Sequence, residues 1–331
     1  MRAKIIYSLI IMTLAWGSAF TSGLSKSGSV GAQFLKIPVG SRYQGLGEAS
    51  TAMVNDAYSL YWNPAGLAQI EGSHITFTNV NWVTDIALNY VAFGTRVADV
   101  GTVGFSATLL TMGNMEVTTV EQPEGTGEMF SASSMALSVG FARQLTPRLA
   151  FGAAVKYIHE EIYNEKAGGV AFDFGTQLET GFRSLRIGMN IANMGPEMKF
   201  SGPDLLQPLD IGTGSTPHGS VTVDPYELPL TFRFGAAYDL VDNIQNRWTV
   251  VAEAKQPNDN DQQASVGSEY CFHESYSLRG GYKFNTDEQG LSLGGGVNSR
   301  VGKETVLMVD YAWADFGRLE SVHRFSIGFS F

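Results

Sequence analysis

The stretch Leu230-Thr231-Phe232-Arg233-Phe234-Gly235-Ala236-Ala237-Tyr238-Asp239-Leu240 decides the fold of this chain. In an extended strand, successive side chains point to opposite faces. Leu230, Phe232, Phe234, Ala236, Tyr238 and Leu240 therefore share one face, and Thr231, Arg233, Gly235, Ala237 and Asp239 share the other. The pattern recurs at 276–285, where Tyr276, Leu278, Gly280, Tyr282 and Phe284 oppose Ser277, Arg279, Gly281, Lys283 and Asn285. It recurs again at 170–179, with Val170, Phe172, Phe174 and Leu178 against Ala171, Asp173, Gly175, Gln177 and Glu179. A soluble sandwich would bury such an apolar face, whereas a transmembrane barrel turns it to lipid. Length separates the two, because soluble strands average about five or six residues and tilted membrane strands need about nine to eleven. These segments are of the longer kind. Trp82, Tyr157, Trp248, Tyr282 and Trp313 lie near segment ends, where interfacial aromatic girdles belong.

Working outward, the alternation predicts strands at 73–82, 86–97, 100–111, 130–143, 149–160, 167–181, 185–194, 229–241, 247–256, 261–272, 275–284, 290–301, 304–314 and 320–331. The count is even, as single-chain bacterial barrels require. Connections after even strands are short, such as Ala98-Asp99 and His273-Glu274, while the two longest, 112–129 and 195–228, both follow odd strands. That parity puts the long loops on one side of a membrane. The final segment, Phe325 to Phe331, alternates to a terminal aromatic, which resembles the ends of bacterial outer-membrane barrels. Closure into a barrel leaves no unpaired edge in hydrocarbon.

Composition narrows the function. The 331 residues hold 22 Lys+Arg and 32 Asp+Glu, a net charge of −10 without a basic run, which argues against nucleic acid as a partner. Charged residues make up 16% and glycines number 38, a charge-poor and glycine-rich balance. A mean hydropathy of −0.02 excludes a polytopic helical membrane protein. Cys271 is the sole cysteine, so neither a disulfide framework nor a multi-cysteine zinc site is available. Arg2 and Lys4, the apolar run Ile5 to Trp16 and the small residues Gly17-Ser18-Ala19 read as a signal peptide over 1–19, hence export.

Residues 31–72 do not alternate. They carry Gly45-Leu46-Gly47-Glu48-Ala49, then Asn55-Asp56-Ala57, then Trp62-Asn63-Pro64-Ala65-Gly66-Leu67-Ala68. Ala49 to Ala57 has small and apolar residues at helical spacing. Asn63 suits a helix cap, with Pro64 at the first helical position. About forty residues are too few for a separate core, but they suit the lumen of a barrel this wide. The expected organisation is a leader over 1–19, a helical plug over 20–72, and an all-β transmembrane antiparallel barrel over 73–331.

This motif series, followed by the repeated strands, resembles the PorV/PorQ family of outer-membrane proteins over roughly 30–331. That family is related in fold to the FadL fatty-acid channels, whose fourteen-stranded barrels carry an amino-terminal hatch with a similar Asn-Pro-Ala. The resemblance implies the outer membrane as location. It also implies a role in type IX secretion, binding the carboxy-terminal signals of cargo and accompanying a translocon. The alternative is a FadL-like channel for a hydrophobic small molecule. Plug residues Asn55, Asp56, Trp62, Asn63, Pro64, Ala65 and Gly66 carry the resemblance.

Signals for chemistry are sparse. No P-loop, H-E-x-x-H or EF-hand loop occurs, and His74, His159, His218, His273 and His323 are scattered. The chain reads as a non-enzyme with no metal and no cofactor. Asp173, Glu179, Arg186, Arg233, Glu253, Arg279 and Lys283 fall on the expected inner face, as a charge-paired lumen or a ligand-facing wall. Asn258-Asp259-Asn260-Asp261 reads as a solvated external turn rather than a calcium loop. Gly294-Gly295-Gly296 reads as a close-packed strand. The proline-rich 195–228 connection mixes Met198, Phe200, Leu205 and Leu206 with its prolines, which suits a cap over the mouth or a partner-binding edge.

Overall fold

The computed structural model describes residues 28–84, 86–208, 218–302 and 304–331. The expected leader at 1–19 lies outside them. Fourteen antiparallel strands form a closed barrel. They are β1 (Ser73–Asn81), β2 (Ala87–Val97), β3 (Gly101–Thr111), β4 (Ala132–Thr146), β5 (Leu149–Ile162), β6 (Glu165–Glu179) and β7 (Arg186–Met194), then β8 (Thr231–Asp242), β9 (Asn246–Pro257), β10 (Gln263–Phe272), β11 (Tyr276–Phe284), β12 (Leu291–Val301), β13 (Thr305–Asp315) and β14 (Ser321–Ser330). Every strand expected from the alternation is present. Each pairs with its neighbours in sequence, and β14 closes on β1 with Phe77 opposite Ile327. Ser73 and Phe331 seal the seam by exchanging backbone hydrogen bonds of 2.7 and 2.9 Å.

The burial pattern inverts that of a soluble protein. Phe105, Phe325 and Leu278 are 51%, 54% and 71% exposed, whereas Thr78, Asp173, Asn190 and Glu269 are at most 1% exposed. Apolar side chains form the outer band and polar ones line the interior, the arrangement that hydrocarbon solvent selects. Long connections gather at one end and short turns at the other, and barrels of this class keep the long ones outside the cell. β4, β5 and β6, with 15, 14 and 15 residues, extend further at the outer end than the nine-residue β1 and β7.

Two-residue ribbons decorate the outer loops, Met115–Glu116 pairing with Met129–Phe130. The 195–228 connection folds back over the mouth in its described parts. Met198 exchanges backbone hydrogen bonds of 2.9 and 2.8 Å with Tyr226 and is 1% exposed.

The interior is filled by residues 30–72. Val39, Tyr43, Leu46, Leu60, Trp62, Leu67 and Ile70 are fully buried inside the wall. The plug is less helical than its sequence suggests. Its regular pieces are one or two turns each, Gln33–Lys36, Ser41–Gln44, Ser59–Trp62 and Pro64–Gln69. Ala49 to Ala57, spaced like a helix, forms turns instead. The cause is competition for backbone partners. The N–H groups of Ser50 and Thr51 donate to Glu253 Oε2 at 2.8 and 2.9 Å, and the Thr51 carbonyl accepts from Asn63 and Gln177. Groups satisfied by the wall have no need of a helix.

Trp82 also departs from expectation. It does not join the outer girdle, but lies at the mouth with its ring 5.1 Å from that of Phe316. Tyr157, Trp248 and Tyr282 do face outward, each more than 40% exposed.

Candidate functional site

The plug is anchored at Asn63. Its Oδ1 accepts from Ala65 N at 3.1 Å, capping the Pro64 turn, while its Nδ2 donates to Thr51 O at 2.8 Å and Thr176 O at 3.1 Å. Trp62 Nε1 donates to Val39 O at 2.9 Å, and Asn190 of β7 donates to Trp62 O at 2.9 Å. Asp56 makes a local turn by accepting from Tyr58 N at 2.9 Å, and also accepts from the Tyr43 hydroxyl at 2.6 Å. Burial is the largest influence on the Asp56 carboxyl and pushes it up, against the opposing pull of Arg42 and Tyr43. Asn55 is exposed and accepts from Arg42 at 3.2 Å. Pro64, Ala65 and Gly66 are buried against β5 and the Val54 carbonyl.

The inward charges sort into groups. Toward the inner end, the plug's Arg42 grips Glu269 of β10 through two hydrogen bonds of 2.9 and 2.8 Å. Glu269 also accepts from Arg279 of β11 at 2.6 Å, and Arg279 continues to Asp310 of β13. Toward the outer end, Lys283 meets the plug's Glu48 at 2.7 Å, and Arg233 lies 3.6 Å from Glu253 and over the Trp62 ring at 4.7 Å. Burial acts to raise Glu48, but Lys283, Lys255 and Arg233 outweigh it and hold its carboxyl near about 2. A third pair, Lys156 with Asp173 at 2.6 Å, backs the β6–β7 bulge, where Asp173 Oδ1 accepts from Asn193 N at 2.8 Å.

Among the seven candidates expected on the inner face, Asp173, Arg233, Glu253, Arg279 and Lys283 are buried. Arg186 is half-buried and pairs with Asp239 at 2.8 Å. Glu179 is exposed at the inner rim, where β6 ends and where it lines an open pocket with Met53 and Asn55 of the plug. Glu269 and Asp310 had the same signal as the others, a charge on the inward parity of a strand. Asp259 is not in a solvated turn. It is 3% exposed and holds the plug's Lys36 at 2.7 Å. Gly290-Leu291-Ser292-Leu293-Gly294 spells the letters of a nucleophile elbow, yet it runs into an uninterrupted strand, and Ser292 Oγ accepts from Gln44 of the plug at 3.2 Å. Among the described residues, no three metal-ligating side chains converge.

A cavity of about 470 Å³ opens at the outer mouth. Phe34, Ile37, Trp82, Leu110 and Phe316 form its apolar side, and Lys36, Glu48, Lys255, Gln263 and Lys283 its polar side. The volume lies within the roughly 300–1,000 Å³ range of small-ligand sites. Below it the plug and wall are in contact. An added Cβ at Gly175 of β6 would come 1.9 Å from Asn63 Oδ1, and one at Gly281 of β11 would come 2.2 Å from Gly47 N. The Asn63 side chain at the first position, and the plug backbone at the second, approach so closely that only glycine fits.

Comparison with solved structures shows the same barrel. The P. putida toluene transporter TodX aligns with a TM-score of 0.60 at 14% identity, covering 88% of this chain and 98% of that one. The Ralstonia pickettii toluene transporter TbuX gives 0.53 at 15% identity, covering 88% and 97%. A Pseudomonas aeruginosa FadL homologue gives 0.55 at 11%, covering 89% and 98%. No curated protein sequence matches. The family model described as type IX secretion system protein PorV matches residues 25–217, from the plug through β7 and into the long outer connection. With that match over more than half its length, on an inside-out barrel sealed by its own amino-terminal segment, the chain belongs to the PorV family and is an outer-membrane protein of type IX secretion.

Proposed function

We propose that this barrel receives secreted cargo at its outer mouth and accompanies the translocon that exports it, acting as a binding protein and not as an enzyme. One observation carries the reading: the lumen is occupied by a plug bonded to the wall through its own backbone, while usable space lies at the outer end. A conduit needs a path. A receptor needs a shaped, outward-facing surface on a rigid support, and this barrel has one. The partners are therefore outer-membrane lipid around the barrel, a translocon beside it and cargo carboxy-terminal signal domains above it.

The test is purification from native membranes in mild detergent, with mass spectrometry of what travels along. The expected companions are translocon components and exported proteins that share a terminal domain. Shortening the 195–228 connection should reduce that company and lower cargo secretion.

A second reading, a channel for a hydrophobic small molecule as in TodX, is favoured by the register shift between Phe172 and Phe174, which interrupts the hydrogen-bond ladder between β6 and β7. Under it, the same shortened variant would lose uptake of a lipid-like solute while cargo secretion continued.

A further inference from the structure

We propose that the lipid-facing side of the β1–β2 hairpin is a contact surface for a second copy of this chain, related to the first by a two-fold axis along the membrane normal. Neither cargo binding nor passage of a solute is needed for it.

Three observations converge. First, the apolar band of this hairpin is short. The outward residues of β1 are Ser73, Ile75, Phe77, Asn79 and Asn81, and on β2 Val91 and Phe93 lie between Asn89 and Thr95. Two polar pairs therefore bracket the apolar levels, with Ser73 opposite Thr95 and Asn79 opposite Asn89. The pairs are six residues apart along each strand, which at about 3.4 Å per residue and a tilt of about 40° makes roughly 15 Å of bilayer depth. The apolar band of such barrels is about 25 Å tall. On β5 it is filled by five consecutive outward apolar residues, from Leu149 to Tyr157. At least one polar pair of the hairpin thus lies at the depth of hydrocarbon.

Second, the Asn pair is only partly satisfied. Asn79 Nδ2 donates to Asn89 Oδ1 at 2.9 Å, which leaves Asn79 Oδ1 and Asn89 Nδ2 without a partner among the described residues. An amide carries an acceptor and two N–H donors, and lipid chains offer partners to neither. Third, the polar groups are uncharged amides and hydroxyls. The Ser73 and Thr95 hydroxyls lie 2.8 Å apart and share one hydrogen bond. Groups of both kinds donate as well as accept, so each can bond its own kind.

Those features fix the occupant. A partner must meet both levels with groups that donate and accept. A two-fold axis along the membrane normal arranges this by symmetry, because each copy carries the same groups at the same depths. Phe77 and Val91, 45% and 41% exposed, then pack against their counterparts between the polar levels. An unrelated wall would need the same two levels by coincidence.

The experiment uses native membranes holding the full-length protein with C271S, which removes the sole cysteine. Single cysteines F77C and V91C mark the hairpin, and A236C marks β8, seven strands away around the barrel. Oxidation with copper phenanthroline should convert F77C and V91C to a species of twice the chain's mass that reductant reverses. A236C should give only the trace produced by chance collision. Adding N79L/N89L to F77C should lower the yield about fivefold, as befits loss of the amide bonds between copies. Retained heat-modifiable mobility on gels establishes that each variant is folded. No product from either hairpin cysteine, or equal yields from F77C, V91C and A236C, overturns the proposal, as does a yield that N79L/N89L leaves unchanged. A product with the mass of this chain plus a different protein also overturns it, and assigns the face to that protein.

Discussion

At the scale of single residues, Asn63 concentrates more of the plug's order than any charge does. It is fully buried, caps the Pro64 turn and bonds two carbonyls, one from the plug and one from β6. Replacing it with alanine removes the cap and takes a donor from each of those carbonyls, of which Thr51 O keeps only Gln177. The expected cost is about 2–4 kcal/mol, read as a lower temperature for loss of the compact form on heat-modifiability gels. Gly175 is the complementary test, since its added Cβ would fall 1.9 Å from Asn63 Oδ1. Overpacking of that kind costs about 1–3 kcal/mol. Because G175A and N63A disturb one contact, the double variant should lose less than the two singles combined. Full additivity would show that Asn63 does not brace β6.

At the scale of elements, the fourteen strands were legible and the plug was not. A strand's face follows from the parity of its own residues, so Phe232 and Arg233 declare their directions without reference to anything distant. The plug's conformation is written elsewhere in the chain. Glu48 is 235 positions from Lys283, and Ser50 is 203 from Glu253. Ala49 to Ala57 therefore looks helical in isolation and becomes turns when the wall supplies its hydrogen bonds. The site shared that fate: Arg233, Arg279 and Lys283 could be placed inside by parity, but nothing local tells which distant group each of them meets.

The turn that ends at Glu48 also predicts a pH dependence. Its carboxyl titrates near about 2 in the folded protein against an ordinary 4.5. Its ionised form therefore stabilises the fold fully above pH 4.5, and that stabilisation is lost as pH falls toward about 2. Its upper bound is about 3 kcal/mol. E48Q should be less stable than the unaltered protein at neutral pH, and the difference should shrink between pH 4.5 and 2, measured by urea unfolding in detergent. A constant difference across that range would show that the Glu48–Lys283 contact contributes through packing alone.

At the scale of the whole molecule, the plug takes the place that a hydrophobic core holds in a soluble protein. Its apolar residues pack together in the barrel's centre, and charges from β8, β9, β10 and β11 close on its backbone and side chains. A lumen organised this way should work without the plug moving, because displacing it would break its contacts with Glu253, Glu269 and Lys283 together. Ser41 of the plug and Ser326 of β14 allow a direct test, as their hydroxyl oxygens lie 2.9 Å apart. Cys271 is the sole native cysteine, so S41C/S326C in a C271S background offers one defined cross-link. Oxidation should join plug to wall with little distortion, seen as a fragment that stays attached after proteolysis until reductant is added. Cargo secretion by cells carrying the cross-linked protein should match that of the reduced form. A loss of secretion on oxidation that reductant reverses would mean that the plug leaves its seat during transport, and that the outer mouth is one end of a gated passage.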